Sequence, residues 1–281
     1  MRRGQITLEF PAPPDLRVEV EAGASDLVLV GAEEPKIRVT AHYCLDLRSG
    51  LWGDLADTWE KVLSEKPPVN LVGNVLRVGP GPEGIDLDYE ITLPLESSGE
   101  IRLGSGDIAV RNFSGKLSIT TKSGDFSGLK VSGDLHLRTE SGDIFLAQAA
   151  GAFTIHTGSG DITGEEVRGS IDAETSSGDI ELLDFLGDLR VRTGSGDVEV
   201  EGEIHGETWE IHTDSGDILL KLPEDAEPEV DLMSKVGDVH CAFPLQTQEI
   251  RENLARGRIG TFPKGKIRVT AGFGDIVLRR R

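Results

Sequence analysis

Sulfur and aromatic side chains are scarce in this chain of 281 residues, with two Cys, two Met, three Trp, two Tyr and nine Phe. Cys44 and Cys241 lie far apart and in no metal-ligand spacing, so neither a disulfide framework nor a cysteine-built zinc centre is available. Both are expected as ordinary buried residues. Positive charge is short too: 29 Lys and Arg face 49 Asp and Glu, a formal net charge of −20. A surface so acidic repels a phosphate backbone or an anionic bilayer, which argues against nucleic acid as a partner. No apolar run approaches a membrane span, and Arg2 and Arg3 precede no apolar stretch of signal-peptide length. Membrane insertion is therefore not expected, and a cytoplasmic location is.

Glycine, by contrast, is abundant at 35 residues, and it is periodic. An Asp that follows Gly recurs every 18 residues at Asp107, Asp125, Asp143, Asp161, Asp179 and Asp197. The spacing then drifts through Asp217 and Asp238 and closes at Asp275. A second Gly falls halfway, at Gly115, Gly133, Gly151, Gly169 and Gly187, between short alternating apolar runs such as Leu189-Arg190-Val191. Period-two alternation broken by tight turns predicts strands, and a fixed 18-residue period predicts stacked coils. The fold class is all-β: a single-stranded β-solenoid, or parallel β-helix, with 18-residue coils and one short helical insertion near the N-terminal end.

One domain over 1–281 is expected, most regular over 101–222. Within 45–68, Trp52, Leu55, Trp59, Val62 and Leu63 recur at three- and four-residue steps, which predicts the helical insertion. Residues 242–266 read as a loop before a last coil at 267–278, with a short helix possible over 248–256. Trp52 and Trp59 of the insertion, and Phe262 and Phe273 with this loop, are expected to cap the two ends.

Two ladders accompany the Asp residues. Ser105, Ser123, Ser141, Ser159, Ser177, Ser195 and Ser215 give way to Val236 and Phe273, which predicts an interior hydroxyl ladder. Thr121, Thr139, Thr157, Thr175, Thr193 and Thr213 end in Ala271 and are expected at interior or corner positions, bonded to backbone groups. Ser and Asp repeated in every coil are turn grammar. A catalytic nucleophile occurs once, with its own orienting groups, so no triad is assembled from them. His156 and His212 fall by register into an outward column with Thr120, Arg138, Glu174 and Arg192, a solvated mixed-charge face rather than a metal site. No catalytic residue, cofactor or metal is assigned.

Carboxylates stacked at about 4.8 Å repel by about 1 kcal/mol in water and by roughly 3.5 kcal/mol at an effective dielectric of 20. Turn amides can donate to each Asp, or a cation can sit between coils. The first needs only local chemistry. The calcium-binding nonapeptide β-roll also has 18-residue coils, but places its Asp two positions before the apolar residue, whereas here Asp directly precedes Ile or Val.

The Ser-Gly-Asp-Ile and Ser-Gly-Asp-Val runs, with a Tyr-bearing strand ending at Leu93-Pro94 and a final Gly-Asp-Ile276, resemble a bacterial family named for adhesins, a domain of otherwise unknown function. The resemblance implies a noncatalytic binding or scaffold surface, with a protein or glycan partner, on a monomer or small homo-oligomer. It carries over no catalytic residues. A self-assembling filament similar to the bactofilins is the alternative, since open solenoid ends expose strand edges. A polysaccharide-acting enzyme is disfavoured, because 18-residue coils leave little loop to wall a cleft.

Overall fold

A computed structural model describes residues 2–45, 61–63, 65–82 and 85–281, which form two compact units, Met1–Asp134 and Leu135–Arg281. The first contains β1 (Arg2–Pro11), β2 (Arg17–Ala24), β3 (Leu27–Ala32), β4 (Lys36–Leu45), β5 (Val69–Val72), β6 (Val75–Val78), β7 (Leu87–Pro94), β8 (Ser98–Ser105) and β9 (Ile108–Ser123). β10 (Phe126–Ser141) runs from the first unit into the second. The second continues with β11 (Ile144–Ala147), β12 (Ala150–Ser159), β13 (Ile162–Glu165), β14 (Arg168–Ser177), β15 (Ile180–Ser195), β16 (Val198–Ser215) and β17 (Ile218–Leu222). It ends with β18 (Glu229–Val236), β19 (Val239–Cys241), β20 (Leu245–Arg251), β21 (Leu254–Ile259), β22 (Lys266–Phe273) and β23 (Ile276–Arg280).

The parallel solenoid is the observed architecture. Pairings at the 18-residue period, such as Ile171 with Leu189 and Ile162 with Ile180, place each repeat on the next. The alternation read from the sequence sets what is inside: Phe153, Ile155, Ile171, Leu189 and Val191 are all buried, and stack as rows along the core. The regular spacing breaks at β16, where 20 residues separate Asp197 from Asp217. The register slips by one residue the other way between Leu182 and Phe185, and the shift between Gly187 and Leu189, opposite Ile204 and Trp209, then takes up three residues of β16.

Chain order and stacking order part company near the ends. In the first unit the coil of β2 and β3 lies between β6–β7 on one side and β8–β9 on the other. In the second, the coil of β22 and β23 inserts between β16–β17 and β18–β19. The coil last in sequence is thus an interior coil. In the second unit the outward charges match this order, whereas in the first Glu19 lies between Arg77 and the like-charged Glu100. Across this face of the second unit the outward residues run Asp172, Arg190, Glu210, Arg268, Asp231, Arg256 and Glu249, alternating in sign at every step. Stacking in sequence order would have set Glu210 against Asp231. Instead Arg268 lies between them, 3.1 Å from Glu210, and Arg256 reaches Asp231 at 2.6 Å. Cross-strand pairs of opposite charge each contribute roughly 0.2–1 kcal/mol, and like charges cost a similar amount. Arg268→Glu is therefore expected to lower stability by about 1–2 kcal/mol, more than Arg268→Gln does. Urea midpoints taken at low salt and again in molar salt check this, because the excess over Gln should shrink when the charges are screened. Equal midpoints for Glu and Gln at low salt would remove charge as a contributor to this order.

Residues 242–266 are not a single loop, since strands occupy 245–251 and 254–259, and 248–256 is not helical. β20 and β21 form an antiparallel hairpin around Glu252-Asn253, and β21 pairs antiparallel with β18. The segment's polar, charge-rich composition suits either helix or strand, and the exposed edge of β18 decides by supplying hydrogen-bond partners. Asn253 locks the turn, its Nδ2 donating to Ser234 O at 3.0 Å. In the first unit, β1 and β4 similarly add antiparallel strands outside β7. The aromatic-cap expectation is corrected at Phe262 and Phe273, which are exposed, whereas Phe243 is buried. The insertion expected over 45–68, with Trp52, Leu55 and Trp59, lies mostly outside the described residues. Within it, 61–63 and Glu65 are helical and Leu63 is buried.

Candidate interaction surface

The coils turn at an Asp corner, Ser-Gly-Asp in the regular repeats, and the Asp side chain is part of the stacking. In the second unit the amide of Asp161 donates to Asp143 Oδ1 at 2.9 Å, Asp179 to Asp161 at 2.8 Å, and Asp197 to Asp179 at 2.7 Å. The series continues spatially rather than sequentially, from Asp217 to Asp197, Asp275 to Asp217 and Asp238 to Asp275, at 2.7–2.8 Å. In the first unit Asp125 donates to Asp107, and Asp107 to Asp26, both at 2.9 Å, and Asp26 to Asp88 at 3.0 Å. One carboxylate oxygen thus takes an amide proton from the neighbouring coil, and exposure leaves the charge solvated. Turn amides occupy these carboxylates, and among the described residues no group of three His, Cys, Asp or Glu is placed to hold a metal ion. Asp26 and Asp88 extend the nine Asp residues read from the period. Asp88 follows Leu87 rather than Gly, so its membership was not legible.

The Ser ladder is corrected: it is not interior. Ser141, Ser159, Ser177, Ser195 and Ser215 are exposed, and Ser105 and Ser123 are half-buried. The apolar replacements misled because Val236 and Phe273 are themselves 58% and 63% exposed. Strand alternation stops at the corner, so a residue two beyond a buried Thr turns outward. The Thr residues are the buried polar ladder, from Thr121 to Thr213, with Ser234 as the equivalent in β18. Thr175 Oγ1 donates to Gly160 O at 3.3 Å and Thr193 Oγ1 to Gly178 O at 3.2 Å, satisfying corner carbonyls.

At the midway turn, marked in the sequence by its Gly, the left-handed residue three positions earlier escaped sequence reading. Asn112, Lys130, Gln148, Glu166 and Asp184 all have φ between 51° and 56°, again at 18-residue spacing. Each precedes a buried residue: Phe113, Val131, Ala149, Val167 or Phe185. The signal was a polar-apolar-x-Gly quartet ending at each midway Gly. It was hidden because five different side chains occupy the left-handed position, which is tolerated at roughly 1–2 kcal/mol each.

Between corners the outer face is flat and charged. His156, Glu174, Arg192, His212 and Thr270 form one column, with His156 3.3 Å from Glu174 and His212 3.1 Å from Asp214. Beside it lies the alternating row, with a recess of about 330 Å³ lined in part by Asp172, Arg190, Thr208 and Glu210. Asp188 borders this recess, but its Oδ1 accepts the amides of Glu207 and Thr208 at 2.7 and 2.9 Å. Cys241 is partly buried, which pushes its thiol pKa up and keeps it protonated, hence a poor nucleophile. Cys44, expected buried, is exposed. No described helix is long and apolar enough to cross a membrane.

A family model described as Toastrack DUF4097 matches residues 95–168 and 131–279. No curated protein matches the chain. Three solved structures do. A candidate adhesin from Bacteroides fragilis is 12% identical, with 98% of this chain and 97% of that one covered and a TM-score of 0.45. A candidate lipid-binding protein from Parabacteroides distasonis is 11% identical, covering 97% and 96%, with a TM-score of 0.43. A candidate cell adhesion protein from Clostridium sporogenes is 10% identical over the whole of both chains, with a TM-score of 0.28.

Proposed function

Because the chain belongs to the Toastrack DUF4097 family, we propose that it is a noncatalytic binding or scaffold protein whose working surface is the flat outer face of its parallel coils. The observation that carries this reading is the division of labour within each coil. The repeated Asp and Thr residues, which could be mistaken for reactive groups, are committed to backbone hydrogen bonds between or within coils. What varies from coil to coil is the outward columns, and those are shallow and rich in paired charge. Such a face suits many-point polar contact with an extended partner, a glycan chain or a protein, better than engulfment of a small molecule.

Arrays of glycans and of polypeptides, read for binding and for breakdown, test the proposal. Saturable binding without turnover is expected, lost on substituting Glu174 and Arg192 together with Ala and retained when Lys116, on the other unit, is changed. Cleavage of any arrayed glycan, abolished by the same double substitution, would make the protein an enzyme and overturn the reading.

A further inference from the structure

The edge of β1 is unlike that of the strand ending the second unit. β20 has seven residues and a register shift between Thr247 and Glu249, and a bulge of this kind discourages edge-to-edge pairing. β1 runs ten residues in unbroken register with β4, from Arg2 opposite Leu45 to Pro11 opposite Lys36. The continuation of that ladder fixes which backbone groups face β4. Ala12, opposite Pro35 in the same register, donates its N–H to Pro35 O at 3.1 Å. Even-numbered residues therefore turn toward β4, and Arg3, Gln5, Thr7 and Glu9 direct N–H and C=O groups to the other edge. Among the described residues β4 is the strand that pairs with β1. Side chains divide in the same way: Ile6, Leu8 and Phe10 are half-buried on the core side, and Arg3, Gln5, Thr7 and Glu9 are exposed.

We propose that β1 pairs antiparallel with β1 of a second copy of this chain, about a two-fold axis at Ile6. This register sets Arg3 opposite Glu9 twice, Gln5 opposite Thr7 twice, and Ile6 against itself. The four outward-facing residues of each copy fall in the closely hydrogen-bonded pairs, giving about eight backbone bonds between chains. Charge selects this register. Arg38 reaches Glu9 through Oε1 alone, with both its Nε and Nη2 at 2.9 Å, which leaves Glu9 Oε2 for the partner's Arg3. A shift by two residues in either direction loses that match. The half-buried Ile6, Leu8 and Phe10 would continue as one apolar strip across the axis. Because both copies use the same patch, the contact closes on itself and gives a dimer rather than a filament.

The test is the mass of the full chain by light scattering from low to near-millimolar concentration, for the wild type and for Arg3→Glu, Glu9→Arg and Thr7→Pro. The wild type is expected to rise to twice the mass of one chain. Arg3→Glu and Glu9→Arg should each stay at one-chain mass, because each places like charges opposite one another twice. Mixed together, they should recover the dimer, since both pairs are then complementary. Thr7→Pro removes an outward N–H, which an edge strand tolerates, and should abolish the dimer with an unchanged thermal melt. A wild type at one-chain mass throughout overturns the proposal. So does a dimer that survives Thr7→Pro and Arg3→Glu, or a mixture that fails to pair.

Discussion

Replacing Gly196 with Ala is expected to cost about 3–5 kcal/mol, enough to unravel neighbouring coils of the second unit. Two costs combine. Gly196 has φ +153°, a conformation L side chains rarely adopt. An added Cβ would also lie 2.0 Å from Gly178 O and 2.6 Å from its carbonyl carbon, both backbone atoms of the adjacent coil. Backbone cannot rotate aside as a flexible side chain can, so the coils must separate. Separation stretches the 2.7 Å bond from the Asp197 amide to Asp179. Gly23 is the control: an added Cβ meets nothing within 4 Å, so Gly23→Ala should shift stability by no more than about 0.5 kcal/mol. Urea denaturation combined with amide exchange checks both, the exchange reporting which coils open, since stacked repeats need not unfold together. A Gly196→Ala protein as stable as wild type would contradict the close approach of the two coils.

Trp209→Ala should cost a similar amount, about 3–5 kcal/mol, for a different reason. Trp209 is fully buried in a row between Leu189 and Ile267, where its neighbours in the row are aliphatic. The surplus residues of β16 alter the register just before it. Its ring centre lies 5.9 Å from that of Phe185, tilted at 48°, and Nε1 donates to Gly187 O at 2.9 Å. Ala leaves a cavity and an unpaired carbonyl. Trp209→Phe retains most of the apolar volume and loses the hydrogen bond, so a smaller cost of about 1–2 kcal/mol is expected. Thermal and urea midpoints of the two variants should rank Phe between wild type and Ala. If Phe and Ala cost the same, the hydrogen bond, and not the volume, is what Trp209 supplies.

The coil was legible because its causes are local. Alternation in Leu189-Arg190-Val191 and a Gly at each corner act within a few residues, and repetition confirmed them. The Ser ladder was misread because alternation carries no information past a bend. Val236 and Phe273 looked interior by type alone, although they are exposed. The hairpin over 245–259 was hidden because its strands form against a partner remote in sequence. Of the candidate surface, the column of His156, Glu174 and Arg192 followed from the 18-residue register, and His212 from standing five residues before Asp217 as Arg192 stands before Asp197. The alternating row did not, since it depends on Arg268 entering between Glu210 and Asp231.

By itself, then, the amino-acid sequence determined the parallel coil, its 18-residue period and its principal inward rows, because these follow from side-chain alternation and the conformational needs of Gly. It also determined the acidic charge and the Asp corner. Only the tertiary structure decided the order in which coils stack, the hairpin laid on β18 and the regular, unbulged edge of β1. Those features arise from pairings between residues distant in the chain, through backbone hydrogen bonds and, in the second unit, alternating charge, which adjacency in sequence does not reveal.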